Sequence, residues 1–147
     1  FAKQRNFDSQ ELEQHAEAYR IELVKNVATK QSSAEDTSVL LLDAAGLFKA
    51  LLDDIQAGLP TGFIAQCFHD AFVRVLVEMA ELVRAVYGIS IVALGGGVFM
   101  NRYLTEQALI QLQERGFTVA MNKDLPPNDA SISYGQAVLG WQAQNKE

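Results

Sequence analysis

Residues Ile89–Arg102 read ISIVALGGGVFMNR, and this stretch decides the fold. Ile89, Ile91, Val92, Ala93 and Leu94 form an apolar run broken only by Ser90. A short run rich in β-branched residues predicts a strand buried on both faces. It stops at Gly95, Gly96 and Gly97. A glycine inside a regular element costs about 1 kcal/mol relative to alanine, so three in succession predict a turn. There the backbone takes positive φ or comes very close to something else. From Asn101 to Glu114 the pattern predicts a helix. Strand, glycine turn and helix start together expose backbone N–H groups, an arrangement that suits a phosphate or a nucleotide.

Working outward, the helix through Leu104, Ala108, Leu109 and Leu112 is stopped by Gly116, and Phe117–Ala120 predicts a second strand. The centre is thus a βαβ-like unit. Met121–Asp129 is a loop containing Pro126 and Pro127. Asn128 or Asp129 caps a last helix through Ile132, Ala137, Val138 and Trp141. Upstream, Pro60 opens the longest predicted helix, which runs to Val86 and stops at Gly88. Its apolar positions are Phe63, Ile64, Cys67, Phe68, Phe72, Val75, Leu76, Met79, Leu82, Val83 and Val86, expected to form one packing stripe. A shorter helix, Ala44–Ala57, is opened by Asp43 and stopped by Gly58, with Leu47, Phe48, Leu51, Leu52 and Ile55 on its stripe. Tyr19–Val24 and Ser38–Leu42 predict two strands paired as a hairpin across the polar stretch Lys25–Thr37. Ser9–Ala18 predicts a short helix carrying Glu11, Glu13 and Glu17.

The length of 147 residues suits one domain or lobe, and a 49% hydrophobic fraction is enough for a core. The division expected along it is a peripheral part, 1–58, with helices and hairpin, and a nucleotide-binding core, 59–147. A net charge of −6 excludes a general nucleic-acid binder, which needs clustered Lys and Arg. No apolar run approaches a membrane span. With Cys67 as the one cysteine, no internal disulfide forms, which fits a reducing cytosol and a cytoplasmic protein. The sequence opens on Phe1 without a signal peptide and reads as a fragment of a larger multidomain protein.

Two places offer chemistry. Gly95–Gly97 is neither a P-loop, lacking Gly-Lys-Ser/Thr, nor the dinucleotide fingerprint, lacking its last glycine. Close ligand approach and a merely tight turn both remain open there. The second place is Pro126-Pro127-Asn128-Asp129. A carboxylate before a helix is an N-cap or a hard-metal ligand beside phosphates. Elsewhere the plainer readings hold. Cys67 lies on the apolar stripe as core packing, not a nucleophile. His69 and Asp70 are a surface pair, not a dyad, since neighbours on a helix do not face each other. His15 is an exposed helix histidine without a second metal ligand at helical spacing. No catalytic residue is identified.

Three pieces, Leu94-Gly95-Gly96-Gly97-Val98-Phe99-Met100-Asn101-Arg102, Leu125-Pro126-Pro127-Asn128-Asp129 and Ser133-Tyr134-Gly135-Gln136-Ala137, resemble in order and spacing the C-terminal end of the HypF family. Ile64-Ala65-Gln66-Cys67-Phe68-His69 resembles that family's long helix. HypF proteins are the carbamoyltransferases that mature nickel–iron hydrogenases. The likeness is strong from Leu59 to Leu139 and thinner before it. The tRNA threonylcarbamoyl-transfer family is a related alternative, as is a non-catalytic nucleotide-binding module of the same fold. The resemblance implies an α/β chain, the C-terminal lobe of an actin/Hsp70-like (ASKHA) nucleotide-binding fold with a mixed sheet packed by helices. It implies that Gly95, Gly96, Gly97 and Asn101 contact ATP or carbamoyl adenylate. It also implies that Asp129 is a ligand of a metal ion (iron, zinc or magnesium) shared with an upstream lobe. The implied partners are the remaining domains of a longer parent and a HypE-type acceptor, whose cysteine receives the carbamoyl group. The fragment alone is expected to be inactive. Ala130 and Ser131 stand where the family commonly has Gly-Gly.

Overall fold

A computed structural model describes residues 9–25 and 40–145 of the chain. The expected loop over residues 26–37 and the start of the second strand lie outside the described residues. In chain order the elements are α1 (Ser9–Ala18), β1 (Glu22–Lys25), β2 (Leu40–Asp43), α2 (Ala45–Ala57), α3 (Thr61–Tyr87), β3 (Ile91–Leu94), a 3-10 turn (Gly97–Met100), α4 (Arg102–Glu114), β4 (Thr118–Met121), a second 3-10 turn (Asp129–Ser131) and α5 (Ile132–Gln144). The helix boundaries follow local chemistry. Asp43 Oδ1 accepts from the Ala45 N–H at 2.8 Å and opens α2. Gly58 closes it in the left-handed region, φ 75°. Gly88, at φ 71°, closes α3, its N–H donating to the Arg84 carbonyl at 2.8 Å. The chain divides into two compact units, Phe1–Leu76 and Val77–Glu147, and the division falls inside α3.

In the first unit β1 and β2 pair antiparallel, from Glu22 opposite Asp43 to Lys25 opposite Leu40, as the hairpin expectation requires. Tyr19 was expected inside the first strand. It lies ahead of it, with its whole side chain buried. Tyr19, Leu47, Ala50, Cys67 and Ala71 form a buried cluster against which Ala16, Leu51, Phe63 and Phe68 pack. Polar contacts run through it. The Tyr19 hydroxyl donates to Asp54 Oδ2 at 2.9 Å, and Arg74 Nη2 donates to the Tyr19 carbonyl at 2.6 Å. His15 corrects its sequence reading. It is not a plain surface histidine, because Nδ1 donates to Asp54 Oδ1 at 2.5 Å. Burial, followed by the hydrogen bond to Asp54, pushes the Tyr19 phenol above its ordinary range.

The helical stripes also need correction. In α2 the buried line is Leu47, Ala50 and Asp54, while Phe48, Leu52 and Ile55 are more than half exposed. In α3 the buried residues are Ile64, Cys67, Ala71, Val73, Val75 and Val77, and Phe72, Met79, Val83 and Val86 are exposed. Small side chains let a helix approach its neighbour closely, so Ala50 and Ala71 define the seam that larger residues flank.

In the second unit β3 and β4 pair in parallel, Ile91 opposite Thr118 through Leu94 opposite Met121. α4 connects them, so the βαβ expectation holds. The expectation of a strand buried on both faces does not. Leu94 is 5% exposed but Ile91 is 66% exposed, because burial alternates along the strand and only one face is covered. Leu104, Thr105, Ala108 and Leu112 give α4 its buried face, and Phe117 is buried just before β4. The Arg84 guanidinium lies 4.1 Å from the Phe117 ring centre and donates to the Arg115 carbonyl at 2.7 Å. Among the described residues no helix is long and apolar enough to cross a membrane.

Candidate functional site

The glycine turn leaves the C-terminal end of β3 and enters the 3-10 turn Gly97–Met100. Of the three glycines only Gly96 has a positive φ, 105° with ψ 159°. That region belongs almost wholly to glycine. A Cβ built at Gly95 or Gly96 meets nothing within 4 Å. The turn is therefore open on the side where side chains would stand, which is what close approach by a ligand requires.

A hydrogen bond ties this turn to the second candidate loop. The Gly96 N–H donates to the Pro127 carbonyl at 2.6 Å, and a Cβ at Gly97 would lie 3.9 Å from Asn128 Cβ. The glycine motif and the Pro126–Asp129 loop, 31 residues apart at this bond, are thus one structure. The Gly96 N–H is spent on that bond and is not a donor for a ligand.

Both asparagines are engaged as caps. Asn101 Oδ1 accepts from the Leu104 N–H at 3.1 Å and starts α4. Thr105 Oγ1 donates to the Phe99 carbonyl at 2.9 Å and steadies the same turn. Asn128 Oδ1 accepts from the Ala130 N–H at 3.1 Å. Ser131 Oγ donates to the Pro126 carbonyl at 2.5 Å. The expectation that Asn128 or Asp129 caps the last helix needs correction: Asn128 caps the short 3-10 turn, α5 starts after Ser131 without a side-chain cap, and the Asp129 side chain is exposed on the first residue of that turn. Next to this loop an open depression of about 330 Å³ is lined by Met121, Asn122, Lys123, Asp124 and Leu125. Lys123 is a cation that the sequence reading did not single out, since a lone lysine in a loop carries no pattern.

The remaining candidates lie apart from this site in sequence. His69 Nδ1 donates to the Ala65 carbonyl at 2.6 Å, one helical turn back, a local bond that serves the helix. Cys67 is 4% exposed, and its thiol is pushed up to about 11 by burial, then by the charges of Asp70 and Asp54. Both properties oppose nucleophilic use. Among the described residues no three His, Cys, Asp or Glu side chains gather to hold a metal.

A sequence model of a family, described as carbamoyltransferase, Kae1-like domain, second subdomain, matches residues 3–136. The carbamoyltransferase HypF of Synechocystis sp. is 35% identical over 105 residues, which cover 71% of this chain and 13% of that protein. The carbamoyltransferase HypF of Rhizobium leguminosarum bv. viciae is 37% identical over 88 residues, 59% of this chain and 12% of that one. Among solved structures, full-length HypF in its phosphate- and nucleotide-bound form superposes with a TM-score of 0.69 at 31% identity. That superposition covers 97% of this chain and 18% of the larger one. The chain therefore spans less than a fifth of the length of these relatives.

Proposed function

The chain belongs to the HypF carbamoyltransferase family, as the second subdomain of its Kae1-like domain, and on that premise we propose that it is a nucleotide-holding lobe of a carbamoyltransferase. In the whole protein, ATP and carbamoyl phosphate yield carbamoyl adenylate with release of phosphate and pyrophosphate. The carbamoyl group then passes to the C-terminal cysteine thiolate of a HypE-type acceptor with AMP as the leaving group, toward the cyanide ligands of nickel–iron hydrogenase. Cys67 is not the acceptor, since it is buried within the first unit.

The observation that carries this reading is the joined loop pair: an open glycine turn bonded through Gly96 to the Pro127 carbonyl. Support comes from the relative solved with phosphate and nucleotide bound. In this reading the backbone at Gly95–Gly97 lets the ligand come close, Asn101 holds the start of α4 by its cap, and Asn128 holds the 3-10 turn that leads into α5. The lobe orients the ligand and shields it from water, which a hydrolysable acyl adenylate needs. It supplies no nucleophile.

The implied metal fits this chain only in part. Asp129 is one exposed carboxylate, and a single ligand does not hold a cation tightly. Asp129 is proposed as one hard ligand of a site completed by groups outside this chain, and no chemical step rests on it here.

Calorimetry of ATP binding to a full-length HypF-type protein carrying this segment tests the reading. Gly96→Val should weaken binding in a protein that still folds. Full affinity in that variant would remove the glycine turn from the nucleotide site.

A further inference from the structure

One side chain borders the open side of the glycine turn. A Cβ at Gly95 or Gly96 meets nothing within 4 Å, but one at Gly97 meets Asn128 Cβ at 3.9 Å. Asn128 is therefore at the rim of the space that a ligand would enter. Two bonds hold it there. The Pro127 carbonyl just before it accepts from the Gly96 N–H at 2.6 Å. Its own Oδ1 accepts from the Ala130 N–H at 3.1 Å. That second bond also fixes which way round the amide stands. A backbone N–H only donates, so the arm facing it is the oxygen and the diverging arm is Nδ2. Among the described residues Nδ2 has no acceptor. Asn128 is only partly covered, and no buried polar side-chain atom among those residues lacks a partner, so Nδ2 reaches solvent. It is a neutral donor, oriented in advance, beside a turn whose own Gly96 N–H is already spent.

We propose that Asn128 is a phosphate contact of the nucleotide site, its Nδ2 donating to a phosphate oxygen of a nucleotide lying over the glycine turn. This rests on the nucleotide reading above. The neighbouring chemistry selects the phosphates. Asp129, the next residue, carries the exposed carboxylate proposed for a cation, and a hard cation shares its ligands with phosphate oxygens. With the glycine turn on one side and Asp129 on the other, Asn128 falls at the phosphate end of the ligand. The Asp129 carboxylate by itself would repel a phosphate. An amide N–H instead gives an oxyanion a charge-assisted hydrogen bond without adding a charge of its own. Because Oδ1 is already bonded, the amide loses little freedom when Nδ2 engages, so the ordering cost is small. The two arms of one side chain thus divide the work: Oδ1 holds the loop and Nδ2 holds the ligand.

Calorimetry of a full-length HypF-type protein carrying this segment, with ATP and with adenosine, tests this alongside a thermal melt. Asn128→Asp keeps the shape and an oxygen for the Ala130 N–H but puts a second oxygen where the donor was. Asn128→Ser keeps an oxygen for the same N–H, stays neutral and lacks the second arm. Both variants should melt close to the unsubstituted protein. Both should bind ATP at least about tenfold more weakly, as expected for loss of a hydrogen bond to a charged group. Adenosine affinity should not change. The aspartate variant should bind ATP more weakly than the serine variant, since its charge adjoins the phosphates. Full ATP affinity in either variant, with a normal melt, overturns the contact. Equal loss for ATP and adenosine overturns it too, because the residue would then shape the turn or hold the nucleoside. Gly95→Val separates this proposal from the reading it rests on. If that variant weakens ATP binding and Asn128→Ser does not, only the Asn128 contact falls. If neither weakens it, both fall.

Discussion

Replacing Gly96 by alanine isolates one property of the glycine turn. The backbone there sits at φ 105° and ψ 159°, a region in which any side chain costs about 1–3 kcal/mol. The Cβ itself meets no atom within 4 Å, so the cost is backbone strain alone. If the turn relaxes to relieve it, the Gly96 N–H to Pro127 hydrogen bond at 2.6 Å is strained or lost, so the penalty stays in the same range. With an unfolding entropy near 2.1 cal/mol/K per residue, this lowers the melting temperature by about 3–10 °C. Gly95 and Gly97 are internal controls. Neither has positive φ, and a Cβ at Gly95 meets nothing while one at Gly97 makes an ordinary 3.9 Å contact. Alanine at either position should change stability by less than about 1 kcal/mol, and reduced freedom of the unfolded chain favours a small gain. Denaturant titrations of the three variants, followed by circular dichroism, read the ordering directly. A Gly96→Ala variant as stable as Gly95→Ala would refute the argument, since the turn would then not need the conformation assigned to it.

Cys67 should be slow to label in the native state. At pH 8, moving a thiol from its ordinary 9.0 to about 11 lowers its thiolate population about 100-fold even before occlusion, so native labelling within tenfold of the denatured rate would contradict its burial. Stability should hold below pH 9 and fall above it, because Cys67 and Tyr19 are both raised on folding and the unfolded chain ionises first. A denaturation midpoint as high at pH 10.5 as at pH 8 would refute that sign. Asn128→Ala should cost about 1 kcal/mol through loss of the cap, whereas Asp129→Ala should cost little; the reverse order in a thermal melt would return the cap to Asp129. In a full-length HypF-type protein, Asp129→Asn should lower metal content without a stability change, and unchanged metal content would remove Asp129 from the metal.

Local signals in the sequence were read well because they are governed by near neighbours. Glycine at 58, 88 and 116 stops α2, α3 and α4 with positive φ, Asn101 caps α4 and Asn128 the 3-10 turn, and Asp43 bonds the first N–H of α2, all from within three residues. Burial was read less well. Periodicity marks Phe48, Leu52 and Ile55 as a face to be covered but does not say by what, and this chain leaves them exposed. The same holds for Ile91 on β3. Asp54 shows the opposite failure. A carboxylate on a helix reads as surface, and only the folded chain brings His15 and Tyr19, 39 and 35 residues away, onto it.

The site divides along the same line. The two loops were visible as separate motifs, each ambiguous between a turn or cap and a ligand contact. Their union through Gly96 and Pro127 was not visible, because it is a backbone bond between residues far apart in sequence. That bond reassigns roles within the motif. The Gly96 N–H is a structural donor, and the conformation at Gly96 is what the bond requires. The glycine nearest the end of the strand, Gly95, keeps both an open Cβ position and an unstrained backbone. Asn101 commits its oxygen to the start of α4 and Asn128 to the 3-10 turn before α5. In the nucleotide reading, recognition therefore falls to the open surface over Gly95 and Gly96 rather than to those cap oxygens. A side chain at Gly95 should disturb the ligand without disturbing the fold, while one at Gly96 should disturb both. Gly95→Val with normal stability and weakened ATP binding is the pattern that separates a ligand surface from a tight turn. Normal binding in that variant would leave the glycines with a turn to make and nothing more.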